Sequence, residues 1–363
     1  MQKSLLLLSF FCVFSCKQPI KNSYTLIVGT YTDTGSKGIY TFDFDAITAD
    51  FSAVSLHEVD NPSFMTITAD GRFIYSVSEN EANTSSVNTI GLSGGMLSAI
   101  NRHRVYADWP CHIVMDENKR IAIASNYGGG SISVHHIDEN KHLTDTVQYI
   151  QFPSSETKKS HAHSAQFSPD GNHLFVADLG NDSIFKFDLT KNNGTYQLQK
   201  SENGSIGLPL HTGPRHFKFS KNGNYMYALG EYSGKVHVYS YGNGQLTEIQ
   251  SVMTDDVPAG GSADLHISPD GNFLYASNRL ENDGIAIFSI DENSGKLTKI
   301  GYQMTGKHPR NFRISPNGKW LLVACRDDNE IQIFTIGKDG LLTDSGKRIA
   351  LEKPVYLEIV ESG

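Results

Sequence analysis

The chain of 363 residues carries 31 basic against 39 acidic side chains, a formal net charge of −8, and no basic block. That excludes nucleic acid as its main partner, because neutralising phosphates takes clustered Lys and Arg. With 33 Gly, 19 Phe, 16 Tyr and only 19% charged residues, the composition is that of a turn-rich, strand-rich globular protein.

The N-terminus reads as an address. Lys3 precedes an apolar run from Leu5 to Phe14, followed by Ser15-Cys16. The run is too short to span a bilayer stably, but it fits the apolar region of a secretory signal. A small residue before a cysteine resembles the bacterial lipobox, so residues 1–16 are expected to be a signal peptide whose Cys16 takes a lipid anchor; an ordinary cleaved signal is the alternative. Residues 17–23 would be a short tether, the protein an exported lipoprotein of the bacterial cell envelope, and the membrane a partner only through Cys16. Cys111 and Cys325 remain, neither in a metal-type spacing, and are expected to be buried thiols.

From residue 24 onward one unit repeats. Turns occur at Asp70-Gly71, Asp170-Gly171, Asn222-Gly223, Asp270-Gly271 and Asn317-Gly318, with a weaker copy at Asp116-Glu117-Asn118-Lys119. Each is flanked by apolar strands, such as Leu174-Phe175-Val176-Ala177, and a third strand such as Ile285-Ala286-Ile287-Phe288 follows. A Gly-x-Leu-Thr edge, as at Gly295-Lys296-Leu297-Thr298, opens a fourth. A period near fifty residues with four strands per unit predicts an all-β, seven-bladed propeller of antiparallel blades. Residues 24–60 lack a first strand, while Pro354 to Val360 is a first strand with nothing after it. Joining them closes the ring and removes the open edge of a linear array. One domain over 24–363 is expected, as a monomer.

Two columns of this repeat carry reactive side chains. Where the innermost strand begins, successive units read Ser63-Phe64, Cys111-His112, His163-Ser164, Arg215-His216, Ala263-Asp264, Arg310-Asn311 and Val355-Tyr356. Where the second strand ends they read Ser78-Glu79, Asn126-Tyr127, Asp178-Leu179, Gly230-Glu231, Asn278-Arg279 and Cys325-Arg326. In a hairpin these positions share one end, so both columns should ring one mouth of the central channel. Any one of them could simply cap a loop, and Glu231 could be a structural ion pair with Arg215. As a set, His, Glu and three Arg converging on a concave mouth suit an anionic substrate with an acyl centre.

Gly213-Pro214-Arg215-His216 with Glu231, Ser262 to Gly271, Tyr275-Ala276-Ser277-Asn278-Arg279, His308-Pro309-Arg310-Asn311-Phe312, Asp178-Leu179-Gly180-Asn181-Asp182 and Asn126-Tyr127-Gly128-Gly129-Gly130-Ser131 together resemble the propeller lactonases. That family includes bacterial 6-phosphogluconolactonases and the fungal carboxymuconate lactonising enzyme, and the resemblance covers the whole mature chain. It implies hydrolysis of a sugar lactone without a metal or other cofactor. It also implies functional roles for His163, Arg215, Arg279 and Glu231, with His161 a weaker competitor of His163. His112, Asp178, His216, Asn278 and Arg310 are the expected substrate-binding set. A muconate-type cycloisomerase and a non-catalytic carbohydrate- or protein-binding propeller remain open. Because phosphorylated sugars are cytoplasmic and the chain carries an export signal, an unphosphorylated aldonolactone is a further reading.

Lactone hydrolysis needs an activated water and positive charge where the oxyanion develops. Glu231 or His163 would be the base and the other its partner. Arg215 and Arg279 would hold the oxyanion and the acid product, with Arg310 at a distal anionic group. The turn aspartates should bond their own backbone. His135-His136 are expected at the surface, and Gly128-Gly129-Gly130 forms a hairpin bend.

Overall fold

The computed structural model describes residues 23–257 and 260–362; the expected signal peptide, Cys16 and nearly all of the tether lie outside them. The described residues form seven sheets of four antiparallel strands and no helix. Blade 1 pairs Pro354–Glu361 with Ser23–Thr30, then Gly38–Asp45 and Phe51–Glu58. The chain's two ends are thus joined in the expected way, with Leu26 opposite Ile359 and Val28 opposite Leu357. Blades 2 to 7 follow in sequence, their innermost strands being Met65–Ile67, Pro110–Asp116, Ala162–Phe167, Pro214–Phe219, Ser262–Ile267 and Pro309–Ile314.

The reason for a ring lies in where the apolar side chains go. Each sheet presents apolar residues on both faces of its middle strands, so each must be covered twice. Seven buried clusters result, one at every blade boundary. One joins Leu26 and Phe44 of blade 1 to Leu322 and Ile331 of blade 7, which seals the circle. Buried tyrosines tie neighbours further: Tyr75, Tyr227 and Tyr275 each donate a hydroxyl to a carbonyl of the next blade, Lys141, Gly295 and Gly340.

The repeated turns behave as their residues dictate. Asp170 Oδ1 accepts from Ser168 Oγ (2.5 Å) and from the Asn172 amide (3.0 Å), and Asp270 repeats this with Ser268 and Asn272. Gly171 and Gly271 take φ of 69° and 85°, a region open to glycine without steric cost.

One device recurs at the opposite end of the innermost strand. In six blades the pairing of first and second strands slips by one residue near its start. Pro110 faces Asn126 but His112 faces Ser125; Ala162 faces Asp178 but Ser164 faces Ala177; Pro214 faces Gly230 but His216 faces Leu229. The same slip occurs around Arg310, Val355 and Ala263-Asp264. The extra residue of each bulge is Cys111, His163, Arg215, Arg310 or Val355, with either Ala263 or Asp264 in blade 6. Bulges re-aim side chains and bend the strand. Four of these strands begin at a proline whose predecessor has positive φ: Trp109, Gly213, His308 and Lys353, at 49° to 59°. Three of the four are not glycine, and each such residue costs about 1–3 kcal/mol.

Candidate active site

Bulge and strand end together build the mouth. Glu231 follows the second strand of blade 5, Tyr225–Gly230, and its amide is fixed by the Gly213 carbonyl at 2.7 Å. Its Oε2 lies 2.8 Å from Nε of Arg215 on the same blade, and its Oε1 3.1 Å from Nη2 of Arg279 on blade 6. One carboxylate therefore bridges two guanidiniums. Arg279 is further held by Nε to the Gly261 carbonyl (2.8 Å), and Arg215 donates through Nη1 to the Ala263 carbonyl. The Arg215 Nε contact is an ion pair without hydrogen-bond alignment, which leaves that N–H unpartnered beside the carboxylate.

Burial works against ionising Glu231, but the guanidiniums of Arg279, Arg215 and Arg310 outweigh it and hold its pKa below the ordinary carboxylate range. Arg279 is pushed down to about 9, first by burial and then by the charge of Arg215, and remains cationic at neutral pH. Arg310 completes a second constellation in blade 7. It lies over the ring of Tyr31 at 5.2 Å and 3.7 Å from Glu79 Oε2, which also accepts the Tyr31 hydroxyl at 3.0 Å. Three guanidiniums thus stand against two carboxylates, a surplus of one positive charge.

His163 is buried, 5.2 Å from the ring of His216 and 5.6 Å from that of Tyr127, with Nδ1 3.9 Å from Cys111 Sγ. Desolvation, followed by the charges of Arg215, His216 and Arg310, drives its pKa well below the usual value, so it is a neutral imidazole at physiological pH. His161, its competitor, stacks on Tyr127 at 4.4 Å and bonds that residue's carbonyl through Nδ1 at 3.0 Å. It belongs to the loop.

His112 and His216 form the floor beneath this mouth. Their rings lie 5.7 Å apart around Phe64. His216 Nδ1 is 2.7 Å from Asp264 Oδ1, and burial brings its pKa to about 4.

The structure divides the expected set by strand alternation. Successive side chains of a strand face opposite sides, so at each strand end one residue enters the channel mouth and its neighbour enters the blade. Glu231 and Arg279 take the first position. Asp178 and Asn278 take the second, which removes them from the substrate-binding set expected from the columns. Asp178 accepts from Ser160 Oγ, the His161 amide and both nitrogens of Asn181, and Asn278 Oδ1 accepts from Thr254 and Ser262. Both tie loops to their own blade. His135 likewise departs from expectation: it is fully buried, with Nδ1 on the Thr144 carbonyl. Tyr31 was missed because blade 1 has no turn from which to count, although it stands in the column of Glu79, Glu231 and Arg279. Among the described residues no group of three His, Cys, Asp or Glu could hold a metal ion.

The family description "Lactonase, 7-bladed beta-propeller" matches residues 25–359. A 6-phosphogluconolactonase of Formosa agariphila is 39% identical over 326 residues, 85% of this chain and 91% of that one. A Bacteroides fragilis crystal structure with a provisional 6-phosphogluconolactonase label is 43% identical, with TM-score 0.90, and covers 94% of this chain and 98% of that one. The periplasmic gluconolactonase PpgL of Pseudomonas aeruginosa is 29% identical, with TM-score 0.89, covering 94% and 100%. With the fold, the ring closure and the match over nearly all of its described length in agreement, the chain belongs to the lactonase family of seven-bladed β-propellers.

Proposed function

We propose that this protein hydrolyses a sugar lactone at the mouth bounded by Arg215, Glu231, Arg279, Arg310 and His163. The observation that carries the reading is the single carboxylate of Glu231 shared by two guanidiniums from adjacent blades, with the buried imidazole of His163 in the field of Arg215 and Arg310. Arg215 and Arg279 polarise the lactone carbonyl and receive the oxyanion; Glu231 holds them apart and aligned. His163 takes a proton from water as its oxygen bonds to the carbonyl carbon. Collapse of the tetrahedral intermediate breaks the ring C–O bond, and the imidazolium returns its proton to the leaving alkoxide. The cationic field that makes His163 a weak base weakens as the oxyanion forms, so its basicity rises when the proton must move.

The relatives named 6-phosphogluconolactonase support a sugar lactone, and the name of the Pseudomonas protein supports one met outside the cytoplasm. A surplus of one positive charge matches one carboxylate product better than a product that also bears a phosphate dianion. We therefore favour an unphosphorylated aldonolactone, and a lipid-anchored, exported protein as the Ser15-Cys16 signal implies. Turnover of glucono-δ-lactone and of its 6-phosphate by residues 17–363, with chelator present and the spontaneous rate subtracted, tests this. The reading expects the unphosphorylated lactone to be preferred and Glu231→Gln to abolish turnover of both. Failure to accelerate either lactone overturns it. Retention of full-length protein in the membrane fraction, lost in Cys16→Ser, tests the anchor.

A further inference from the structure

Below the histidine floor the channel opens again into a cavity of about 210 Å³, bounded by His112, Gln166, Lys218, His266, Arg313 and Glu358 among others. It faces the other end of the ring, where the innermost strands finish, and shares none of the residues assigned above to catalysis.

The carboxylates of this cavity are engaged, whereas the side chains of Lys218 and Gln166 are not. Asp264 Oδ1 takes His216 Nδ1 at 2.7 Å and the Leu265 amide at 2.9 Å, while Oδ2 takes His266 Nε2 at 3.0 Å and Asn311 Nδ2 at 2.5 Å. Glu358 Oε1 takes Arg313 Nη2 at 2.5 Å and the Ile359 amide at 3.1 Å, and Oε2 takes the Tyr356 hydroxyl at 3.3 Å. Lys218, by contrast, makes no side-chain hydrogen bond or ion pair among the described residues, and neither does the amide of Gln166. His112, 3% exposed, keeps Nδ1 without a partner as well. An ammonium offers three donors and no acceptor. A half-enclosed cation left unpaired while every nearby carboxylate is engaged is a site waiting for an acceptor.

We propose that this lower cavity is a second binding site, for a small monovalent anion of carboxylate size held by Lys218 and Gln166. Neighbouring charges set the limit on valence: Lys218 and Arg313 face Asp264 and Glu358, so the lining is neutral overall, and a monovalent anion adds one negative charge where a dianion adds two. A dianion would draw Arg313 away from Glu358. The site is independent of the lactonase reading, since none of its donors acts in that reaction.

Trifluoroacetate is the probe, followed by fluorine NMR line broadening on the intact mature protein, with acetate, chloride and inorganic phosphate as competitors. We expect saturable binding, displaced by acetate, weakened at least tenfold in Lys218→Met and in Gln166→Leu, restored in Lys218→Arg, and retained in Arg279→Ala. Displacement by chloride as effective as by acetate would identify an inorganic ion as the occupant; displacement by acetate alone identifies a carboxylate. Either is a small monovalent anion. Lactone kcat/KM without added anion should change less than twofold in Lys218→Met. No saturable binding, binding unchanged in both lower-cavity variants, loss of binding in Arg279→Ala alone, or preference for phosphate dianion would overturn the proposal.

Discussion

His163 and Arg215 occupy the same position in consecutive blades: each is the extra residue of the bulge that opens the innermost strand. A base and an oxyanion-stabilising cation are thereby aimed by one repeated backbone device, and Arg310 by a third copy of it two blades on. The ring supplies this geometry in six of its blades, and the sequence fills it with different chemistry.

Arg279 offers a direct test of the shared carboxylate. Arg279→Ala should lower kcat/KM by about 100-fold, the usual cost of losing one positioned oxyanion donor. Arg279→Lys should recover little, because an ammonium cannot both reach Glu231 and keep the Nε bond to Gly261. Steady-state kinetics on both variants decides; full activity in Arg279→Lys would remove the bidentate role.

His163 should leave a distinctive pH profile. Its pKa lies well below the ordinary histidine value, so it is neutral, and competent as a base, throughout pH 6–8. After correction for spontaneous hydrolysis, kcat/KM should be flat across that range, with no acid limb near 6.5. His163→Ala should cost about 10²–10⁴-fold. An inflection near 6.5 in the parent protein would refute a depressed His163.

Stability should respond to acid earlier than activity does. His135 and His216 titrate near 4 and His308 near 3 in the folded state, because burial penalises their charged forms; His112, His163 and His266 are lowered by the same cause. In the unfolded chain each protonates at about 6.5. Unfolding below that pH therefore takes up protons, so the stabilisation is complete above about pH 6.5 and is lost as pH falls towards 4, by up to about 1.4 kcal/mol per pH unit for each histidine. Glu231, whose folded pKa is lowered, adds its own loss as pH falls below its unfolded value. Thermal unfolding followed from pH 8 to 4.5 should show Tm constant at first and then falling steeply below 6.5. A Tm unchanged down to pH 5 would contradict neutral buried histidines.

Cys111 and Cys325 are buried free thiols. Burial pushes Cys325 up to about 12 and raises Cys111 as well, so neither is a thiolate at neutral pH. The folded protein should react with a thiol reagent at under about a hundredth of the rate of the same protein in denaturant, where both cysteines label. Rapid labelling of one thiol without denaturant would show that its blade opens.

The sequence by itself determined the blade count, the strand order and the closure of the ring, because Asp-Gly and Asn-Gly turns and alternating apolar strands are local signals repeated at a fixed period. It also placed Arg215, Glu231, Arg279, Arg310 and His163 at one mouth, since both ends of a hairpin's strands meet there. Tertiary structure alone sorted Glu231 and Arg279 from Asp178 and Asn278. Which of two adjacent residues enters the channel depends on strand register, and one slipped pairing at each bulge sets it. Tertiary structure alone also showed that Glu231 bridges two blades, that Tyr31 and Glu79 share Arg310, and that Lys218 lies unpaired in a second cavity. Each of these joins residues from separate repeats, whose distance and burial exist only once the ring has closed.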